Sequence, residues 1–172
     1  GGIGAVIGHE ISHGFDDRGR QFDSQGRNRN WWSDATDDRF VSKADALIEQ
    51  YDRYCPWAGT CVNGLGTLGE NIGDLAGLEI SYAAWKLSLG GKTAPVIDGL
   101  TGDQRFFLAY ARSYRGKMRE ELTRAMLEGD DHAPNRYRVN GVVRNMDAWY
   151  SAFGIKPGDK LYLPPEERVR LW

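Results

Sequence analysis

Hydrophobic residues recur at helical intervals along most of the chain, and few segments alternate as strands do. The clearest stripe predicts a helix that begins near Asp34 or Thr36, both good N-cap residues. Its apolar face consists of Phe40, Ala44, Leu47, Ile48 and Tyr51. A longer helix is predicted from about Leu68 to Leu89. Its apolar stripe consists of Leu75, Leu78, Tyr82, Trp85 and Leu89.

Shorter helices are predicted from weaker patterns at 3–14, 102–114, 117–127 and 146–153. The connections between the helices are rich in glycine and polar residues, which favours turns and loops. These predicted loops are 16–32, 55–69, 90–99 and 128–141. The chain is therefore predicted to be mainly α, and its 172 residues suit a single domain, 1–172.

The composition and net charge of the chain limit the classes of partner that can be expected. Hydrophobic residues make up 41% of the chain, enough for a folded core. Because 22 basic and 24 acidic residues give a net charge of −2, a nucleic-acid partner is not expected. Uncharged apolar stretches reach only about eight residues, whereas a membrane-spanning helix needs about 20. No membrane contact is expected from this segment.

The two cysteines, Cys55 and Cys61, are too far apart in sequence for a CxxC zinc clip. They are compatible with a small loop closed by a disulfide and equally with two separate thiols.

The segment His9-Glu10-Ile11-Ser12-His13 is the strongest chemical signal. Residues four apart lie on one helical face, so His9 and His13 can offer two imidazoles to one zinc ion. Glu10 lies about 100° further round the helix, too far to be a ligand. Its carboxylate could take a proton from a water molecule at the open coordination position. The alternative is three polar residues that share a helix by chance.

A catalytic zinc usually has three protein ligands. The HExxHxxGxxH pattern does not apply, because Asp16 and Gly19 occupy the positions of its glycine and third histidine. Glu70 and Asp74, four residues apart in a predicted helix, offer another solution. Glu70 could bind the metal, and Asp74 could accept the remaining N–H of a zinc-bound histidine. Without a metal, both would be expected on a solvated helix face.

His132 is the remaining histidine and lies in a predicted loop, six residues before Arg138. A histidine there could donate a hydrogen bond to the oxyanion that forms when water attacks a carbonyl, and Asp130 could orient its ring. The arginine could grip a peptide carbonyl through two N–H groups. Taken singly, each of these residues is compatible with an ordinary loop position.

Taken together, these segments resemble the C-terminal part of the neprilysin and endothelin-converting-enzyme family of zinc endopeptidases. The similarity is carried by four segments: GGIGAVIGHEISHGFDD, VNGLGTLGENIGDLAG, HAPNRYR and LYLPPEERVRLW. It extends over most of the chain, and the last segment resembles the family's terminus, which ends in tryptophan, here Trp172.

The resemblance implies a role for each matching position. It implies that His9, His13 and Glu70 are the ligands of one Zn²⁺ ion. Glu10 matches the general base, and Asp74 matches the partner of the first histidine.

Four further roles are implied by the resemblance. His132 matches the residue that stabilises the transition state, and Asp130 matches the carboxylate that orients it. Arg138 matches the arginine that holds a substrate carbonyl. Asp16 matches an acidic residue that supports the site from behind.

The resemblance also implies the fold and the reaction. The chain would be the C-terminal helical part of a thermolysin-like (gluzincin) zincin domain without its upstream sheet, and a fragment of a longer chain. The reaction would be hydrolysis of oligopeptides before hydrophobic residues. An inactive zinc-binding module with a structural role is the alternative, because the family's substrate-clamping segment lies upstream. The expected partners are a peptide substrate and the rest of the longer chain.

One departure from the family concerns the tail. Animal members carry a cysteine where this chain has Val169, so the covalent tether to the distant N-terminal part is absent. This difference suits a bacterial member. An exported or cell-envelope location is favoured and the cytoplasm is also compatible, so the compartment stays open.

Overall fold

The helices predicted from the hydrophobic pattern are present in the computed structural model, which describes residues 1–171. The seven α-helices of that range are α1 (Ile3–Ser12), α2 (Asp34–Asp52), α3 (Leu68–Ser88), α4 (Gly102–Ser113), α5 (Glu120–Gly129), α6 (Asn135–Val143) and α7 (Asp147–Phe153). Extended structure in residues 1–171 is limited to isolated bridges such as Phe22–Asn28. The mainly α prediction is confirmed. Residues 1–171 contain no helix with the length and hydrophobicity of a membrane span.

Helix starts follow from local capping. The side chain of Ser33 caps α2 by accepting a hydrogen bond from the backbone N–H of Thr36, so neither Asp34 nor Thr36 is the cap. At α4, Thr101 and Gln104 form a reciprocal capping box in which each side chain accepts from the other residue's backbone N–H. These hydrogen bonds satisfy N–H groups that the helices themselves leave unpaired.

The prediction of a loop over 128–141 is wrong from Asn135 onward. The carbonyl of Pro134 accepts hydrogen bonds from the backbone N–H groups of Tyr137 and Arg138 and so opens α6. Proline and asparagine are typical of turns, but a proline beside a helix start costs nothing, since the N–H it lacks would be unpaired there. The buried ring of Tyr137 stacks on Tyr54 with the centroids 4.8 Å apart, which ties α6 to the segment after α2. Arg138 therefore lies on a helix.

Helix α3 lies at the centre of the core, and Ile72 and Leu78 are fully buried on it. Helix α1 packs against α3 at unusually short range. A Cβ atom built on Gly77 would lie 2.5 Å from the backbone nitrogen of His9, and one on Gly8 would lie 2.8 Å from the Gly77 carbonyl oxygen. Because both positions are glycine, the two backbones can touch.

A buried polar pair anchors the tail. Gln50 and Asn145 exchange hydrogen bonds of 3.0 and 2.9 Å, and the Asn145 side-chain oxygen also accepts from the backbone N–H of Val169 at 2.8 Å. Val169 itself is buried in the core. Packing and buried hydrogen bonds therefore hold the tail of this chain. Trp172, the terminal tryptophan of the resemblance, lies outside the described residues.

The question that the sequence left open for the cysteines has an answer in the structure. Cys55 and Cys61 form a disulfide that closes the loop after α2. Trp57 lies inside that loop, and the guanidinium of Arg124 on α5 lies 4.1 Å from the centre of its ring. The loop therefore contacts the helix that leads to His132.

Candidate metal centre

Helix α1 presents two imidazoles on one face. The rings of His9 and His13 have their centroids 4.7 Å apart, as their four-residue spacing predicts. The His9 side chain is buried, whereas that of His13 is one-third exposed. The carboxylate of Glu70 on α3 faces both rings, with Oε2 3.1 Å from Nε2 of His9 and Oε1 3.6 Å from Nε2 of His13. One donor atom from each residue lies within 4.8 Å of the others.

The burial and contacts of the Glu70 carboxylate show whether these residues could hold a metal ion. Its Oε2 atom is buried and has no hydrogen bond of good geometry among the described residues. It nevertheless lies 3.1 Å from Nε2 of His9 and 2.9 Å from Nε2 of His132. This buried carboxylate oxygen faces two imidazole nitrogens without an aligned hydrogen bond, and a bound cation would satisfy it. Two imidazoles and one carboxylate are also the donor set of a thermolysin-type zinc site, so the residues fit zinc.

Asp74 lies one helical turn after Glu70 and is almost completely buried. Its Oδ1 atom is 2.9 Å from Nδ1 of His9, on the side of the ring that faces away from Glu70. Arg138 binds the same carboxylate through Nε at 2.7 Å and Nη2 at 2.8 Å, and the hydroxyl of Tyr114 donates to Oδ1 at 2.9 Å. The Asp74 carboxylate thus joins a metal-ligand candidate to a buried arginine.

Burial and close ionic contacts shift the pKa values of His9 and Asp74. Burial alone would lower the pKa of His9, but the nearby carboxylates of Asp74 and Glu70 outweigh it and raise that pKa to about 9. Burial would raise the pKa of Asp74, yet Arg138 and His9 hold it below its ordinary value. The protonated His9 stabilises the fold fully below pH about 6.5, and this contribution is lost as pH rises through about 9. A zinc ion bound through His9 would displace that proton, because a histidine ligand is neutral.

His13 has its own acidic partner. Oδ2 of Asp16 lies 2.8 Å from Nδ1 of His13, and Oδ1 accepts hydrogen bonds from the backbone N–H groups of Arg18 and Gly19. These two bonds fix the carboxylate, which in turn fixes the ring. Each histidine of the pair thus has a buried aspartate on its Nδ1 side and Glu70 on its Nε2 side.

The segment after α5 brings His132 to the same carboxylate. Its Nε2 atom points at Oε2 of Glu70, while Nδ1 lies 2.9 Å from carboxylate oxygens of both Asp130 and Asp131. The structure therefore places the predicted partner Asp130 beside His132 and adds Asp131, which the sequence analysis did not consider. Carboxylates thus face both ring nitrogens of His132, and the ring can donate from Nδ1 and Nε2 together when both carry a proton.

Glu10 and Arg138 complete the predicted set. Glu10 lies on an exposed part of α1 next to His9 and is separate from the three converging donors. Arg138 is mostly buried, and Nη2 lies 3.5 Å from Oε2 of Glu70. Its Nε and Nη2 atoms are engaged with Asp74, which leaves Nη1 for another acceptor. Apart from Glu10, the predicted residues are therefore linked by close contacts around Glu70 and Asp74.

Sequence and structure comparisons identify the family. The family model for peptidase family M13 matches residues 1–169. The chain belongs to peptidase family M13. It is 41% identical to human membrane metallo-endopeptidase-like 1 over 179 residues, which cover 100% of this chain and 22% of that protein. It is 40% identical to neprilysin-2 of Caenorhabditis elegans over 176 residues, covering 100% and 24%.

A solved M13 structure agrees with the fold. The Mycobacterium tuberculosis zinc metalloprotease Zmp1, solved with an inhibitor, superposes with a TM-score of 0.97 at 50% identity and covers 99% of this chain. The match covers 27% of the Zmp1 chain. This M13 chain spans about a quarter of the length of the relatives it matches. The predicted resemblance and the helical zincin fold are confirmed.

Sequence reasoning missed two features of this M13 site. Tyr114, the residue after α4, reaches Asp74 from a helix that carries no motif. The second feature is Gly73, where a built Cβ atom would lie 2.9 Å from Nδ1 of His9. The four-residue spacing of Gly69, Gly73 and Gly77 is a signal for such a contact, because it places three residues without side chains on one face of α3.

Proposed function

We propose that this chain carries the zinc-binding and catalytic residues of a metalloendopeptidase that hydrolyses oligopeptides before hydrophobic residues. The observation that carries the proposal is the convergence of His9, His13 and Glu70 around a buried carboxylate oxygen without an aligned hydrogen bond. Family membership supports the reaction class, since named relatives are endopeptidases and zinc metalloproteases.

The proposed mechanism combines the chemistry of a zinc ion with the roles of three side chains. A bound zinc would polarise the peptide carbonyl and acidify a water molecule, whose pKa falls to about 7 in such sites. Glu10 would accept the proton from the attacking water and pass it to the leaving amine. His132 would donate from Nε2 to the oxygen that gains charge when the carbonyl is attacked. Arg138 would hold a substrate carbonyl through Nη1 while its other nitrogens keep Asp74 in place.

The preference for a hydrophobic residue rests on the resemblance and on one surface feature. Val6 lies one turn before Glu10 on α1, and its apolar side chain is 44% exposed. An apolar substrate side chain next to the scissile bond would cover the Val6 side chain and remove it from water. A peptide substrate and the remainder of a longer chain are the proposed partners.

Two variants test the proposal in the protein at the full length encoded by its gene. Glu10→Gln should keep zinc and lose nearly all hydrolysis of a fluorogenic peptide, because the amide cannot accept the proton. Glu70→Ala should lose tight zinc in elemental analysis. Glu49→Gln, an exposed helical glutamate on α2, is the matched control and should change neither measurement.

Opposite outcomes would contradict the assignment. Activity within tenfold of wild type in Glu10→Gln would exclude Glu10 as the base, and equal zinc in Glu70→Ala would exclude Glu70 as a ligand. Assaying the 172-residue chain beside the full-length protein separates an active segment from a zinc-binding module without activity. We expect the isolated chain to turn over very slowly.

A further inference from the structure

The hydroxyl of Tyr114 reaches the metal centre from outside the family motifs. It donates to Oδ1 of Asp74 at 2.9 Å across the contact between α4 and α3. Three neighbours restrain the tyrosine. The Asn135 side-chain amide donates to its carbonyl oxygen at 3.1 Å, the Arg138 guanidinium lies 4.9 Å from its ring centre, and the Tyr110 ring meets it edge-on at 5.2 Å.

The acceptor of this hydrogen bond is the atom that faces His9. Oδ1 of Asp74 receives the Tyr114 hydroxyl and Nη2 of Arg138, and it lies 2.9 Å from Nδ1 of His9. The Asp74 side chain is only 1% exposed, so little room is left for water to replace a lost donor. The hydroxyl keeps its proton, because burial and the Asp74 charge raise the pKa of Tyr114. Tyr114 can therefore act only as a donor to this carboxylate.

We propose that Tyr114 is a positioning residue for the metal centre, because its hydroxyl holds the Asp74 carboxylate 2.9 Å from Nδ1 of His9, where it can accept a hydrogen bond from that nitrogen. Nε2 of His9 then keeps its lone pair on the side of Glu70. Arg138 grips the carboxylate in one plane through two parallel bonds, and the tyrosine hydroxyl adds a restraint from another helix. The inference rests on the proposed zinc function of His9.

The expected change in zinc affinity follows from the number of hydrogen bonds between Tyr114 and His9. Partners that bond directly to a metal-bound histidine typically change metal affinity 10- to 100-fold when removed. Tyr114 acts through one further hydrogen bond, so its loss should raise the zinc dissociation constant by a smaller factor, about three- to tenfold. The effect should appear in zinc affinity as well as in activity.

The experiment compares three tyrosine-to-phenylalanine variants of the full-length protein by competition for zinc with a chelator. Tyr114→Phe removes the donor to Asp74. Tyr150→Phe removes a buried hydroxyl that donates to the Arg144 carbonyl oxygen at 2.7 Å, and so controls for loss of a buried hydrogen bond in the core. Tyr82→Phe removes a hydroxyl that donates to Asp103, the same chemistry away from the metal centre. Thermal melting of the metal-free proteins reports how much each variant destabilises the fold.

The proposal expects a three- to tenfold weaker zinc affinity in Tyr114→Phe alone, with both controls within twofold of wild type. An affinity within twofold of wild type in Tyr114→Phe would overturn it, and so would an equal loss in Tyr150→Phe, which would indicate general loosening. Wild-type protein that binds no zinc would contradict the proposed function and this inference together. Tight wild-type binding with an unchanged Tyr114→Phe variant contradicts the inference alone.

Discussion

The α1–α3 contact and the segment formed by α5 and His132 position their functional residues in opposite ways. At the α1–α3 contact, backbone lies on backbone: a Cβ atom on Gly77 would come within 2.5 Å of the His9 nitrogen. Helix α5, in contrast, has no fully buried residue, and the His132 side chain that follows it is 39% exposed. The first region is held by close packing and the second by a few side-chain contacts.

This difference matches what each group is proposed to do. Metal ligands require fixed distances, and two helices in backbone contact cannot slide without a clash. A donor to a developing oxyanion must meet a substrate that arrives and leaves, so a more exposed segment suits it. Asp130 and the Trp57–Arg124 contact restrain that segment without burying it.

The largest expected effect comes from His132 on the exposed segment. In the full-length enzyme, His132→Ala should lower kcat about 10²- to 10³-fold with little change in KM, because an oxyanion donor acts in the transition state. Arg138→Ala should mainly raise KM, and because Arg138 also holds Asp74 it should weaken zinc binding. Steady-state kinetics with zinc titration distinguish the two; an identical pattern in both variants would contradict this division of roles.

Adding one methyl group at Gly77 should disrupt the α1–α3 contact. Gly77→Ala should destabilise the fold by about 1–3 kcal/mol, because the new Cβ atom overlaps the His9 backbone and α1 must shift. Zinc affinity should fall with it, as measured by chelator competition. Gly129→Ala at the end of α5 is the matched control: no atom lies within 4 Å of its built Cβ, so stability should be unchanged or slightly higher. Equal effects in both variants would refute the contrast between the two regions.

The smallest effect concerns the contact that restrains α5. Arg124→Ala removes the guanidinium over Trp57, a contact worth about 0.5–1 kcal/mol at an exposed site. Hydrogen exchange should become faster in α5 amides and stay unchanged in α3. Glu120→Gln weakens the salt bridge of Arg124 but leaves the aromatic contact, so it should have the smaller effect. Faster exchange in α3 as well would show that the two regions are coupled.

Local rules predicted much of the site. The four-residue spacings of His9 with His13 and of Glu70 with Asp74 determine which side chains share a helical face, and the structure brings both pairs to one place. The helix that carries Arg138 was not predicted, because Pro134 and Asn135 are residue types typical of turns. The burial of the Tyr137 ring, which favours the helix, depends on tertiary contacts. The assignment of ligands and catalytic roles remains a prediction for the variants above.

The sequence by itself determined the helices, the motif spacings and, through its segments, the family. Only the tertiary structure decided which groups meet between helices: Asp74 with Tyr114 and Arg138, and His132 with Glu70. The physical reason is that spacing along a helix orients side chains relative to one another, whereas the distance between helices depends on what lies between them. Here glycines leave nothing between α1 and α3, so the metal-ligand candidates meet at backbone contact.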